Sequence, residues 1–351
     1  MRATITVRRI HGLALALWVN PWVRGAMNSA FGLLALYFLF RAVPIDQVEH
    51  HLEPRHLSPL LAIVVLTLLS QVARATRWML LLRAWTRVRL TDALWVNAAT
   101  QLVNYALPFR AGEALRLWWL VKRGGQSTAV GLGVIVVDHA FDLGGVAAVL
   151  SAGTLLKLTA ADTALPSLAQ LVAVLGMALA ALGAIGGGLV FGPRLLCSGR
   201  VSRFLPRRWV ESLRRQSTAF RIGLAATRGQ RLLGIVLASA TAMLLDGLAF
   251  FMLFPALGLA VPVASAIVTQ VTLLYTYVLP AAPGYVGSLE AMGTFLLSSI
   301  GLSRPVAAGA IVLWHLVGAA VVIGLGLVAL YGLRRSRPAS HPVKLDTAGD
   351  R

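Results

Sequence analysis

The sequence predicts an all-α polytopic membrane protein built as two inverted-topology repeats, each with a proline-broken re-entrant hairpin. Three observations predict it. The 351 residues are 58% hydrophobic with a mean hydropathy of +0.76, too apolar for a soluble domain with a polar surface. Several apolar runs approach or exceed the ~20 residues that a membrane span needs. The third observation is a repeated motif. Asn104-Tyr105-Ala106-Leu107-Pro108 returns 172 residues later as Thr276-Tyr277-Val278-Leu279-Pro280. Each copy ends an apolar run on Leu-Pro and is followed by glycine and then a lone glutamate, Glu113 or Glu290. A histidine in the next apolar segment follows after 26 residues in the first copy (His139) and 25 in the second (His315). Paired, proline-broken segments in matching positions of two halves point to a site at mid-membrane depth. Broken backbone at that depth survives only inside protein or beside water.

The elements follow in order. Residues 1–24 form a basic interfacial N-terminus with Arg2, Arg8, Arg9 and Arg24. The next apolar stretch runs to about Val43 without a small-residue cleavage pattern, so it should stay as an anchor. Spans are expected at 25–43, 58–80, 126–157, 167–191, 232–256 and 306–332, with the Leu-Pro segments at 92–107 and 263–280. Arginine placement sets their direction. Residues 44–57 carry Asp46, Glu49 and Glu53 against Arg55 and fall outside. Arg74, Arg77, Arg83, Arg87 and Arg89 end the second span inside, where snorkelling arginines and an interfacial tryptophan, Trp78, are expected. Arg110, Arg116, Lys122 and Arg123 after the first Leu-Pro also belong inside, so that segment should enter and leave from the cytoplasm. The second hairpin, 263–303, contains one charged residue, Glu290, as an external re-entrant element would. Repeat one is thus 25–158 and repeat two 167–333, the latter including a basic loop at 192–231 with ten arginines and one acid. A polar tail, 334–351, closes the chain, and both termini are expected in the cytoplasm of an inner (plasma) membrane.

Net charge is +19. In a soluble protein that would suggest nucleic acid. Here the charge serves topology and anionic lipid at the cytoplasmic face, and no nucleic-acid partner is expected. A single cysteine, Cys197, excludes an intrachain disulfide and a cysteine-rich metal cluster. His50, His51 and His56 with Glu49 and Glu53 fit no standard zinc spacing, and Gly186-Gly187-Gly188 has no Gly-Lys-Ser/Thr after it. No nucleophile with an adjacent base and no dinucleotide fingerprint appears. Neither catalysis, a cofactor nor a metal is therefore expected.

The breaks hold the candidate site. Pro108 removes a backbone donor and Gly112 lets the chain reverse, so a helix starting near Ala111 would aim free N–H groups at the break. Those donors with Arg110 and Arg116 suit a phosphate or other anionic headgroup. Glu113, three residues before Arg116, also fits a local ion pair. In the second break Pro280, Pro283, Gly284 and Gly287 cannot continue a helix, and a new helix should start near Ser288. Glu290 then lies in its first turn, either as a capping acid or, as a lone intramembrane charge, as a functional group. Asp138, His139 and Asp142 share one side of the third full span and Asp246 lies in the fifth. They could relay protons or pair with Arg110 or Arg116. His315, on an apolar helix, reads first as a hydrogen-bonded packing residue and second as a coupling group.

Pro108-x-Arg110-x-Gly112-Glu113-x-x-Arg116 and Pro280-x-x-Pro283-Gly284-x-x-Gly287-x-x-Glu290, in this order, resemble the flippase-like transmembrane family named after lysylphosphatidylglycerol synthase. Arg74-x-x-Arg77-Trp78 resembles its pattern after the second span, and the likeness covers about residues 25–333. The resemblance implies a unit that moves a polar-headed lipid (anionic, sugar-linked or hopanoid-type) between leaflets, with Arg110, Glu113, Arg116 and Glu290 at the substrate. It also allows a non-transporting accessory subunit for a lipid-modifying enzyme. Two departures stand out. After Arg337 only a short polar tail remains, so aminoacylation is not expected of this chain. Tyr285 follows Pro-Gly where the family commonly has a second glycine.

Overall fold

The structure is a computed structural model, described for residues 56–107, 110–159, 230–274 and 282–335, with Leu33, Tyr37, Arg41 and Glu211 as isolated positions. The N-terminus, most of the expected span 25–43, His50, His51, Pro108, span 167–191 with its glycine run, nearly all of the loop 192–231 with Cys197, the stretch Thr276–Pro280 and the tail from 336 lie outside the described residues.

Eight α-helices and one 3-10 turn make up the described part: α1 Leu57–Leu82, α2 Leu90–Ala106, α3 Gly112–Lys122, α4 Thr128–Thr159, α5 Gln230–Ala256, α6 Val263–Leu273, the turn Pro283–Tyr285, α7 Ser288–Ser299 and α8 Arg304–Arg335. They match the expected segments closely. Three of them, α1, α5 and α8, are long and apolar enough to cross a membrane. Large side chains on these helices stay exposed, among them Leu61, Leu233, Leu237, Leu316 and Leu327. Water penalises such a surface at about 25 cal/mol per Å², and hydrocarbon does not.

Local chemistry explains the helix ends. Leu107 is extended (φ −119°, ψ 142°) because the proline after it excludes the helical region. Asp92 sits in the first turn of α2, where the helix dipole favours an acid. Pro262 precedes α6, and Gly258, in the left-handed region at φ 69°, closes α5.

Helices pair in a regular way. The strongest packing joins α1 to α5. His56 N–H donates to the Ala256 carbonyl at 3.3 Å, and Gly234 lies against Leu80. The start of α1 therefore meets the end of α5, and the two run antiparallel. Around them α1 packs on α2 as α5 does on α6, α2 on α3 as α6 on α7, and α3 on α4 as α7 on α8. Across the halves, α2 packs on α8 and α6 on α4.

Smaller apolar clusters bridge α4 with α5 and α6 and α2 with α8, and two large ones divide between the halves. One gathers Trp78, Leu81, Leu82, Val96, Trp119, Leu120, Val134 and Val137 from α1–α4. The other gathers Phe250, Leu253, Phe254, Leu273, Leu289, Leu297 and Ile311 from α5–α8. Each receives one isoleucine from the opposite half: Ile235 of α5 enters the first and Ile63 of α1 the second. Ile235 stands 172 residues after Ile63, the offset that separates the two Leu-Pro motifs. Trp78, Leu81 and Leu82 have Phe250, Leu253 and Phe254 at the same offset, all of them fully buried.

Candidate functional site: two charged centres that meet at the chain breaks

The first break is built differently from its expectation. Among the described residues of this break the left-handed one is Arg110, exposed, at φ 53°. Gly112 is needed for close approach instead: a Cβ there would collide with the Thr100 carbonyl oxygen of α2. Its N–H is not free either. It donates to Asn104 Oδ1 at 2.7 Å, so the motif's own asparagine caps α3. This short link lets α3 fold back along α2 and carries Glu113 and Arg116 towards α4.

There a charge network spans five helices. Arg77 of α1 is the hub: its Nε donates to Asp138 at 2.8 Å and its Nη1 to Asp142 at 2.7 Å. Ser239 of α5 lies 3.4 Å from the same Nη1. Arg116 donates to the other Asp138 oxygen at 2.9 Å and to Asn97, while its guanidinium stands 5.7 Å over the Trp78 ring. Arg74 reaches Asp246 at 2.5 Å and Asp142 at 3.3 Å. Glu113 lies 3.5 Å from both Arg116 and His139, and His139 lies 3.7 Å from Asp142. The side chains of Arg77 and Asp138 are 3% accessible, against 29% for Asp142 and 27% for His139. The network is therefore closed at Asp138 and open at Asp142, His139 and Glu113.

Three arginines face four carboxylates here, so the cluster carries one surplus negative charge while His139 is neutral and none when it is protonated. Buried charges at membrane depth persist only when paired. This arrangement pairs all seven.

The second break brings its expected residues to one point. Gly284 (φ 72°) and Tyr285 (φ 59°) are both left-handed, a conformation that glycine adopts freely and tyrosine does not. Glu290 serves as cap and as ion-pair partner at once. Its Oε2 accepts from Gly287 N–H at 2.6 Å, and its Oε1 faces His315 Nδ1 in a short contact. His315 Nε2 lies 2.8 Å from the Gly284 carbonyl and 3.0 Å from the Tyr105 hydroxyl. Pro283 opens the turn.

The two breaks touch. Tyr105 sits in the last turn of α2, and its ring lies 6.5 Å from that of Tyr285. A Cβ on Gly284 would meet the Tyr105 ring at 3.3 Å.

The structure thus gathers Arg110, Glu113 and Arg116 around one break and Pro283, Gly284, Glu290 and His315 around the other, with Asp138, His139, Asp142 and Asp246 in the arginine network. Pro108 lies outside the described residues. Arg116 points into the core, held by Asp138 and Asn97, while Arg110 is presented outward. Sequence reasoning left Arg74 and Arg77 as snorkelling interfacial residues. Arg77 is instead buried and Arg74 half-buried, held against three acids, because α4 and α5 bring those acids to the same depth. Tyr105, Asn97 and Asn104 were also missed as contact residues, although Tyr105 and Asn104 stand in the repeated motif. Among the described residues no group of three or more His, Cys, Asp or Glu is arranged to hold a metal ion.

Membrane-length helices around buried, fully paired charges define an integral membrane protein. Comparison with known families places the particular chain: residues 25–326 match the lysylphosphatidylglycerol synthase TM region, and the chain belongs to that family. No curated protein matches its sequence.

Proposed function

We propose that this chain is a lipid flippase: it moves a polar-headed lipid between the leaflets of the inner membrane, with the anionic part of the headgroup held at Arg110. The observation that carries the proposal is the meeting of the two chain breaks through Tyr105, Gly284 and Tyr285. Broken segments from two halves converging at one place are the arrangement in which transporters hold a substrate at the repeat interface. Arg110 is the exposed cation at that meeting point, and a guanidinium suits a phosphate.

The two halves are inverted repeats on this proposal. Their equivalent first helices, α1 and α5, run antiparallel, and every pairing of one half has its counterpart in the other. Arg74 and Asp246, which bond to each other, lie 172 residues apart, the offset of the two motifs. A residue can touch its own equivalent only at the axis that relates the two copies. Rocking of the halves about that axis would carry the headgroup from the Arg110 side to the Glu290 side.

Transfer of labelled anionic and glycosylated lipids in proteoliposomes tests this. Wild type should transfer at least one, and Arg110→Ala and Glu290→Gln should each reduce it about tenfold or more, the worth of one hydrogen bond to a charged group. If folded wild-type protein transfers no lipid, the chain acts instead as an accessory subunit beside a lipid-modifying enzyme.

A further inference from the structure

We propose that Glu290 and His315 form a proton-binding site whose occupancy fastens the Pro283–Tyr285 turn to His315 of α8. The proposal rests on the flippase reading for its consequence, while the site itself stands on geometry alone.

His315 has two ring nitrogens and three neighbours. Nδ1 faces the Glu290 carboxylate; Nε2 faces the Gly284 carbonyl at 2.8 Å and the Tyr105 hydroxyl at 3.0 Å. A carbonyl oxygen only accepts, so the Gly284 contact requires a proton on Nε2. Glu290 Oε1 and Nδ1 likewise need one proton between them, on either atom. The arrangement therefore holds two protons and is net neutral, as imidazolium with carboxylate or as imidazole with carboxylic acid. When one proton leaves to water, the other stays between Nδ1 and Oε1, and Nε2 becomes bare. Its lone pair then faces that of the Gly284 carbonyl, and the contact becomes repulsive. Tyr105 O–H can still donate to the bare nitrogen. Unloading thus releases the turn from His315 and turns the ring towards Tyr105 of the first half, with one negative charge left on the pair.

Among the described residues no other charge competes for this histidine. Glu290 is the sole charged residue of α7, and α2 turns Tyr105 towards the ring while its Asp92 lies beside Arg89 and Arg123. The 3-10 turn offers the Gly284 carbonyl and, through Tyr105, Tyr285. From α1 and α5, which also touch α8, Arg74, Arg77 and Asp246 are engaged in the other network. On α8 itself the charged side chains are at its ends, Arg304 and Arg334–Arg335. A capping glutamate could have been satisfied by Gly287 alone. The second oxygen, the histidine and the hydroxyl beyond it make a proton site of the cap.

Two readouts test the site without relying on transport. Nitrogen NMR of histidine-labelled full-length protein in lipid nanodiscs, with His315→Gln for assignment, should show both His315 nitrogens protonated at the acid end and one at the alkaline end between about pH 5 and 9. Unchanged His315 signals across that range would overturn the site. Separately, Ala282→Cys in a Cys197→Ser background should react with a thiol reagent roughly fivefold faster relative to a free thiol at the alkaline end, as the turn is released. His315→Gln should make that ratio independent of pH. Tyr105→Phe, which removes the donor available to bare Nε2, should keep labelling slow to higher pH and covers the case in which His315→Gln does not fold. A pH-independent ratio in wild type would overturn the latch even if lipid transfer is intact. Intact titration and labelling without transfer of any lipid would leave the proton site standing and sink the flippase reading alone.

Discussion

Exchanging Arg74 and Asp246 tests the relation between the halves at the point where they bond directly. The pair bonds at 2.5 Å with side chains 18% and 16% accessible, enough burial for the charges to feel each other. Two unit charges ~4 Å apart at an effective dielectric near 20 interact by about 4 kcal/mol. Arg74→Asp replaces that attraction by repulsion from both Asp246 and Asp142, and Asp246→Arg sets two guanidinium groups against each other. Each single substitution should destabilise by about 3–5 kcal/mol, as loss of one partner of a buried pair does. The double swap restores opposite charges across the interface. It still leaves the carboxylate introduced at position 74 beside Asp142, where Arg77 compensates in part. The swap should therefore be more stable than the sum of the singles by about 2–3 kcal/mol. Unfolding of the four proteins by SDS titration in mixed micelles, followed by helical circular dichroism, measures the cycle. If the double variant is as unstable as the two singles added together, α1 and α5 do not meet at this pair and the axis between the halves is misplaced.

Asp138→Asn should be as damaging as either of those single changes, at about 3–5 kcal/mol, because it withdraws charge from Arg77 and Arg116 together; the same SDS titration reads it, and a loss under about 1 kcal/mol would contradict it. Gly112→Ala should cost about 1–3 kcal/mol, since the Thr100 carbonyl in its way is backbone and cannot step aside. Gly144→Ala, with open space around its position, should be neutral or slightly stabilising, and equal costs for the two would refute the close-approach argument. At Arg110 charge and conformation can be separated, because its φ of 53° suits glycine. Arg110→Gly should gain stability by about 1 kcal/mol yet lose lipid transfer as fully as Arg110→Ala does, whereas retained transfer would remove the cation from the site.

Much of this architecture was legible in the sequence because local rules set it. Apolar runs and their prolines set the helix limits, and the near-equal glutamate-to-histidine spacing, noted without a contact being read from it, marks two contacts in the structure, Glu113 with His139 and Glu290 with His315. The left-handed positions were assigned less well. Glycine was expected to turn the first break, but the left-handed residue described there is Arg110, and Gly112 is spent on the approach to Thr100. The arginine network was illegible for a different reason. Arg77 and its acids are 61 and 65 residues apart, and an arginine near a helix end reads as topology signal unless its partner's depth is known.

Arg74 and Asp246 hide most thoroughly, and on the proposed inverted repeat the physics of an axis says why. Leu81 and Leu253, buried in different clusters, can be the same residue in both halves because each meets different neighbours. At the axis a residue meets its own counterpart. Two arginines there, or two aspartates, would set like charges a few ångströms apart at a depth where even a single unpaired charge costs about 2.5–3.5 kcal/mol on insertion scales. A charged pair at that position is stable only if the halves differ, one basic and one acidic. On that proposal a charged contact at the axis is the place where the two sequences cannot match, and a search for repeated residues passes over it. Complementarity at a fixed offset, 172 residues here, is the signal that identity misses.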